Sequence, residues 1–342
     1  MDKKDFDKLP EQIVEVTPEA KADAVFTDPR PASLYLPEYY QSLGDGSRKY
    51  FGIETGIKSL DDATLGLDGL IVLGGIAGRG KTSFALQLAV DICDKGTPTL
   101  FYSLEMPKRM ILTRILSRRA KVSFSDILLK GKPYLAPSEE YNDVAFFNKT
   151  EIESLKAGQE FLETLGGKFY IRSRERGEEK INFDTVKNEI DFIKAQHGSE
   201  KVLVLVDHLQ VFDAGDRYKD QLDKENKLIT GFKGITEETG ATIILISQKN
   251  KAGFTSRGGL QTIKGSVDIV YLADVVMFLE ADDEKPKKGE EQTGYERLTA
   301  KWNTSGTFTP IQLVIDKNRY QPPKTLDFDF DGEHSNFIER NA

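Results

Sequence analysis

The sequence predicts an α/β fold built on a mainly parallel sheet covered by helices on both faces. Three observations lead there. Short apolar runs alternate with segments of helical periodicity along most of the chain. The runs at Leu70–Leu73, Thr99–Leu104, Val202–Val206 and Thr242–Ile246 are almost wholly apolar, as strands buried on both faces must be. The first of them passes through a glycine-rich loop straight into FALQLAVDI, which has the spacing of a buried helix.

Taken in order, residues 1 to about 30 are polar and proline-punctuated, which predicts a mobile tail. From Ser33 to Leu43 the chain reads SLYLPEYYQSL, with apolar and aromatic side chains that a lone arm cannot bury. They either pack on their own domain or dock on a neighbouring subunit. The expected division is therefore a tail and arm over residues 1–50 and one large domain over 51–342. Within that domain, Cys93 falls in the helix after the glycine-rich loop as a small buried thiol. The piece from Val122 to Leu165 predicts a loop with Pro133 and Pro137, then a helix near Ile152–Leu165. Asp184 reads as an N-cap ahead of Val186, Ile190 and Ile193 on one helical face. The mixed-charge run Asp282–Gly294 reads as a solvated loop between two strands. IQLVIDKNRY then gives a strand ending in Lys317 and Arg319.

Composition narrows the function classes. The chain has 342 residues and a formal net charge of −8, so its surface as a whole does not attract polyanions and any such contact must be local. One cysteine excludes an intramolecular disulfide, and with only three scattered histidines no zinc site is expected. The start MDKKDFDKLP carries no apolar leader core, and no apolar run reaches membrane-spanning length. The expected compartment is the cytoplasm, with no membrane partner.

The stretch from Gly74 to Ser83, GGIAGRGKTS, carries the clearest chemistry. Gly75, Gly80, Lys81 and Thr82 meet the pattern G-x-x-x-x-G-K-[ST]. Glycines let backbone N–H groups wrap a polyphosphate, and the following helix points its positive end at it. Gly75, Gly78, Gly80, Lys81, Thr82 and Ser83 are thus candidate nucleotide-binding residues, with the Thr82 hydroxyl a candidate Mg²⁺ ligand. A nucleoside triphosphate with Mg²⁺ is the implied ligand.

Ligands of such sheets bind beyond the carboxyl ends of the strands, so the residues leaving each strand are the next candidates. After LFYSL comes Glu105, able to orient or deprotonate an attacking water, or simply to favour the next helix's N-terminus. After VLVLV comes Asp207, a candidate second metal ligand. After TIILI come Ser247 and Gln248; the Gln248 amide could sense a γ-phosphate. The nineteen residues that follow, Lys249 to Val267, hold Lys249, Lys251, Arg257 and Lys264, four glycines and no acid. In an acidic protein this is either a mobile surface loop or a loop that grips a nucleic-acid backbone. Lys317 and Arg319, two apart and so on one side of an extended segment, could reach a neighbouring subunit's γ-phosphate.

Together these pieces resemble the ATPase domain of the replicative hexameric helicases, the DnaB family, within the RecA-like P-loop NTPase class. The likeness runs from about Gly52 to Phe337, through GIETGIKSLD, GRGKTSFALQLA, SLEMP, VLVDHLQVF, ISQKNK, KGSVDIVYLADVVMFL and DKNRYQPPKTLDFDFDGEHSNF. It implies a RecA-like core with a C-terminal β-hairpin. It implies Glu105 as catalytic base, Lys81 and Thr82 on phosphate and Mg²⁺, Asp207 on the metal and Gln248 as sensor. Lys317 and Arg319 would act in trans on the next subunit's ATP. Family members form rings, usually hexamers, that move 5′ to 3′ on single-stranded DNA, and Lys264, Gly265 and Ser266 fall where the family's DNA loop lies. Departures are His208 where tyrosine is usual, GGIAGR inside the P-loop, and Val267 and Val270 in the DNA-loop region. The residues ahead of Tyr50 are too few for the separate helical domain of full-length members.

The expectation is an ATP-driven helicase or single-stranded DNA translocase, oligomeric, working with a replication or loader protein. The alternative is a nucleotide-switched scaffold or loader of replication or mobile elements that does not unwind DNA. A strand-exchange recombinase fits SLEMP and the K-x-R ending less well.

Overall fold

The computed structural model describes residues 31–37, 40, 50–135, 147–173, 181–213, 215, 218–248, 272–282 and 308–340. The chain divides into a unit of Met1–Lys49 and a unit of Tyr50–Ala342. In the first, the described part is a 3₁₀ turn at Ala32–Tyr35 and the helical residues just after it.

In the second unit the strands are β1 (Leu70–Gly75), β2 (Thr99–Ser103), β3 (Phe169–Ser173), β4 (Leu203–Asp207), β5 (Thr242–Ile246), β6 (Val275–Ala281), β7 (Thr309–Asn318), β8 (Lys324–Asp331) and β9 (Asn336–Glu339). The helices are α1 (Lys58–Thr64), α2 (Lys81–Asp94), α3 (Lys108–Ala120), α4 (Phe124–Leu135), α5 (Lys149–Thr164), α6 (Phe183–His197) and α7 (Gln221–Thr239). Among the described residues the strands form one sheet in the order β3-β2-β4-β5-β1-β6-β7-β8-β9. From β3 to β6 it is parallel; β7, β8 and β9 extend it antiparallel.

Side chains of a strand alternate between faces, and the two cores follow that alternation. Ile71, Leu73, Leu203, Leu205, Ile244 and Ile246 pack with α1, α2 and α3. Leu70, Val72, Val204, Val206, Ile243 and Leu245 pack with α6 and α7. Every residue of β1, β2, β4 and β5 is buried, as their apolar sequences require, whereas β7 and β8 alternate buried with partly exposed positions. The parallel part is therefore the two-faced layer, and the C-terminal extension presents chiefly one buried face.

The extension is fastened to α2. Phe84 meets Phe337 and Phe328 edge-on at 5.1 and 5.7 Å, and Phe330 stacks on Phe337 at 4.3 Å. Gln87 both donates to the Phe337 carbonyl (2.9 Å) and accepts from its N–H (2.8 Å). Arg118 on α3 grips Asp91 of α2 with two hydrogen bonds, 2.7 and 2.6 Å, and reaches Asn336 of β9.

Three local expectations are corrected. The N-cap of α6 is Asn182, which accepts from the Thr185 N–H at 2.8 Å; Asp184 lies in the first turn. Both are short polar residues, and only Asn182 sits one residue before the first helical position. Pro133 lies in the last turn of α4 rather than in a loop, while Pro137 falls outside the described residues. The helix near Ile152–Leu165 starts earlier, at Lys149, because Asn148 and Glu151 form a reciprocal capping box. Cys93 is buried, and burial pushes its thiol up to about 12. The mixed-charge run from Asp282 does follow β6 and precede β7, but beyond Asp282 it lies outside the described residues. No helix among the described residues is long and apolar enough to cross a membrane.

Candidate active site at the strand ends

β1 delivers the chain at Gly75 into the loop Ile76–Gly80, which feeds α2. Gly78 and Gly80 both have φ of +80°, a region that side chains rarely adopt. A Cβ on Gly80 would lie 2.9 Å from the Phe337 ring, so the loop rests directly on the C-terminal extension. Around Gly78 there is open space instead. The N-terminus of α2 has no side-chain cap and no acid in its first turn, unlike α5, α6 and α7. Its positive end is left for an external anion.

Lys81 folds back over this loop and donates to the carbonyls of Gly75 (2.8 Å) and Ile76 (2.9 Å). Desolvation by burial lowers its pKa from 10.5 to about 8, against the opposing pull of Asp207 and Glu105. Thr82 donates its hydroxyl to Asp207 at 2.8 Å, placing two hard oxygen donors side by side. Burial pushes the Asp207 carboxyl up, while the Thr82 hydrogen bond and the neighbouring His208 and Lys81 pull it down. The open cradle, the uncapped helix and this oxygen pair fit a polyphosphate with Mg²⁺.

The depressed Lys81 value has a testable sign. The unfolded lysine keeps its proton to 10.5 and the folded one releases it at about 8. The burial penalty, on the order of 3 kcal/mol, is thus fully present below pH 8 and fades as pH rises toward 10.5. A polyphosphate on the ammonium raises the value again. ATP binding between pH 8 and 9 is therefore expected to take up a proton in the wild type and not in Lys81→Met. Calorimetry in two buffers of different ionisation heat measures it; equal heats in both buffers would refute the assignment.

Parallel pairing of β2 and β4 sets Ser103 beside Asp207, and the Leu104 N–H donates to the Asp207 carbonyl at 2.6 Å. The next residues meet: His208 Nε2 lies 2.6 Å from Glu105 Oε1. The Asp207–His208 peptide is cis. Beyond it, Gln210 donates to the Ser247 hydroxyl at 2.8 Å, tying the β4 exit to the end of β5. Gln248 follows, exposed, as the last described residue before the basic segment. Lys249, Lys251, Arg257, Lys264, Gly265 and Ser266, and with them Val267 and Val270, lie outside the described residues.

Lys317 and Arg319 sit elsewhere. β7 runs antiparallel to β6 and brings Lys317 and Asn318 beside Val276 and Val275, level with the start of β1. Four residue steps, from Ile71 to Gly75, separate that level from the loop, roughly 13 Å of strand. Both cations reach the same segment: Lys317 Nζ donates to the Ala273 carbonyl at 2.6 Å, and Arg319 Nη1 to Asp274 Oδ1 at 2.7 Å. Asp274 is a buried hub that also accepts from the Leu70 N–H (2.7 Å) and from Lys233 (3.0 Å). Its part was missed in the sequence, where an acid just ahead of the apolar run VVMFL was the available signal.

A glycine-rich loop leaving a central parallel strand, with the Thr82–Asp207 oxygen pair at the carboxyl end of the sheet, defines a P-loop fold of the RecA-like class. Comparison with known proteins carries this further: the family described as DnaB-like helicase C terminal domain matches residues 52–339, and the chain belongs to that family. The replicative DNA helicase DnaB of Rickettsia typhi is 22% identical over 304 residues, covering 84% of this chain and 56% of that protein. The DnaB of Mycoplasma pneumoniae is 27% identical over 319 residues, covering 89% and 59%. The chain thus spans somewhat over half the length of these relatives. Among solved structures, one of an isolated ATPase domain superposes with a TM-score of 0.73 at 18% identity, covering 92% of this chain and all of that one. A DnaB-like replicative helicase, solved for its interactions with primase, also gives 0.73, at 17% identity over 91% of this chain and 69% of that one.

Proposed function

We propose that this chain is an ATP-driven DNA motor of the DnaB kind, a helicase or single-stranded DNA translocase. It hydrolyses ATP at the junctions of a ring-shaped homo-oligomer, a hexamer by resemblance, in the cytoplasm. The observation that carries this reading is the separation of two groups of candidate site residues. Lys81, Thr82, Asp207 and Glu105 gather at the carboxyl ends of the strands, while Lys317 and Arg319 are held at the opposite end of the same sheet. Within one subunit they serve different nucleotides.

In this reading Gly75, Gly78, Gly80 and Ser83 line the phosphate cradle, and Lys81 moves from the loop carbonyls onto the β- and γ-phosphates. Thr82 and Asp207 would hold Mg²⁺, which when bound screens phosphate charge. Glu105 accepts the proton of the attacking water, and Gln248 reports the γ-phosphate to the basic loop that contacts DNA. Residues 33–43 dock on a neighbouring copy, and a replication or loader protein places the ring on DNA.

The test is ATPase activity as a function of protein concentration, with and without single-stranded DNA. Turnover per subunit is expected to rise with concentration and to be stimulated by DNA, and Lys264→Ala with Arg257→Ala to remove the stimulation. A dilute monomer with full turnover would overturn the shared site. Hydrolysis indifferent to DNA would point instead to a nucleotide-switched scaffold.

A further inference from the structure

We propose that His208 is the positioning residue for Glu105, holding one carboxylate oxygen so that the other faces the attacking water. The inference rests on the reading of Glu105 as the base. Its ground is the contact itself, His208 Nε2 to Glu105 Oε1 at 2.6 Å, and the contrast between the partners. The imidazole is 8% exposed and Glu105 46% exposed. The buried ring is the fixed member; the half-exposed carboxylate, which left alone would sample several rotamers, is the one held.

The backbone explains why the ring can serve as a fixed point. The register that sets Ser103 beside Asp207 continues one step, through the Leu104 N–H bond to the Asp207 carbonyl, so Glu105 and His208 leave the sheet side by side. His208 then starts a 3₁₀ turn over Leu209–Val211, its carbonyl accepting from the Val211 N–H. Leu209 and Phe212 anchor that turn, both fully buried in the core. Gln210 pins its far side to Ser247.

The chemistry of the ring points the same way. A carboxylate only accepts, so Nε2 carries the hydrogen of this contact. The ring's Nδ1 is buried with no hydrogen-bond partner among the described residues. A buried polar atom without a partner is unfavourable, and an apolar side chain at 208 would avoid it. Among the described residues the imidazole's one hydrogen bond is to Glu105.

The experiment compares His208→Gln, whose amide nitrogen takes the place of Nε2, with His208→Asn and His208→Phe, which have no donor there. Kinetics are measured on the full chain, with affinity for a non-hydrolysable ATP analogue. Asn and Phe are expected to lower kcat about 10- to 100-fold with KM and analogue affinity within about twofold, and Gln to stay within about threefold of wild type. Adding His208→Asn to Glu105→Gln should change nothing further. The proposal is overturned if Asn and Phe keep wild-type kcat, if the loss falls in affinity, if Gln is as impaired as Asn, or if the double variant loses a further factor. A variant that fails to fold leaves the Asn–Gln pair to decide, and folding failure of that pair too would mean a structural role only. Wild-type hydrolysis by Glu105→Gln would instead overturn the reading of Glu105 as base.

Discussion

Arg319→Ala is expected to lower ATP turnover by about 10³- to 10⁵-fold while nucleotide affinity stays within about twofold of wild type. The size follows from what a guanidinium does when it meets charge developing on a transferring phosphoryl group. The unchanged affinity follows from its place, beside the start of β1 and away from its own subunit's loop. The variant should fold, because Asp274 keeps the Leu70 N–H and the Lys233 ammonium after the guanidinium is gone. Arg319→Lys is a sharper control. It keeps a charge but loses the planar fork, so most of the rate should stay lost. Mixing decides whether the action is in trans. Arg319→Ala and Glu105→Gln subunits are each inactive alone, yet in a randomly mixed ring about one junction in four pairs an intact base with an intact arginine. Partial recovery on mixing is the expected result, and a mixture as inactive as its components would sink the shared site.

Phe337→Ala is the second large effect, an expected loss of about 3–5 kcal/mol of stability. Phe337 is nearly fully buried, stacked on Phe330 and set edge-on against Phe84, and its ring lies against the backbone at Gly80. Its main-chain bonds to Gln87 survive the substitution, so the loss reports the ring and the cavity it leaves. That cavity opens directly beneath the phosphate loop. ATP affinity should therefore fall as well, which a cavity elsewhere in the core would not cause. Chemical denaturation and nucleotide titration measure the two effects. A loss under about 1 kcal/mol would mean that the C-terminal extension does not support the loop.

What could be read from the sequence was decided by how local its causes are. β1, β2, β4 and β5 were legible because strands buried on both faces must be apolar throughout, and the P-loop because its conformation needs glycines at set spacing. The segment GIETGIKSLD was legible only as a resemblance. Its physical sense is a buried Asp61 carboxylate accepting from the Thr55 N–H, the Thr55 hydroxyl and the Gly56 N–H. β3 escaped because an edge strand of half-buried residues, with Arg172 paired to Glu189, does not stand out as a run. β8 alternates acids with Leu326, Phe328 and Phe330, a one-faced pattern whose partner face lies on α2, far back in the chain. The Glu105–His208 and Asp274–Arg319 contacts depend on the register of strands distant in sequence, so no local pattern announces them. Thr82 and Asp207 come from segments far apart in the chain, and only the fold brings them to their 2.8 Å contact.

The strand order also makes the sheet a ruler. The ends of β2, β4, β5 and β1 stand in a row, so the exit of Glu105 is three strand spacings from the loop, roughly 14 Å. In the proposed mechanism a diphosphate stops short of the end of β2. A triphosphate with its attacking water spans the gap and engages the exits of β4 and β5 on the way. Because the strands are locked in register by their ladders, the ruler does not stretch. In that mechanism the difference between ATP and ADP is read where the chain leaves the strands, at Glu105, Asp207 and Ser247.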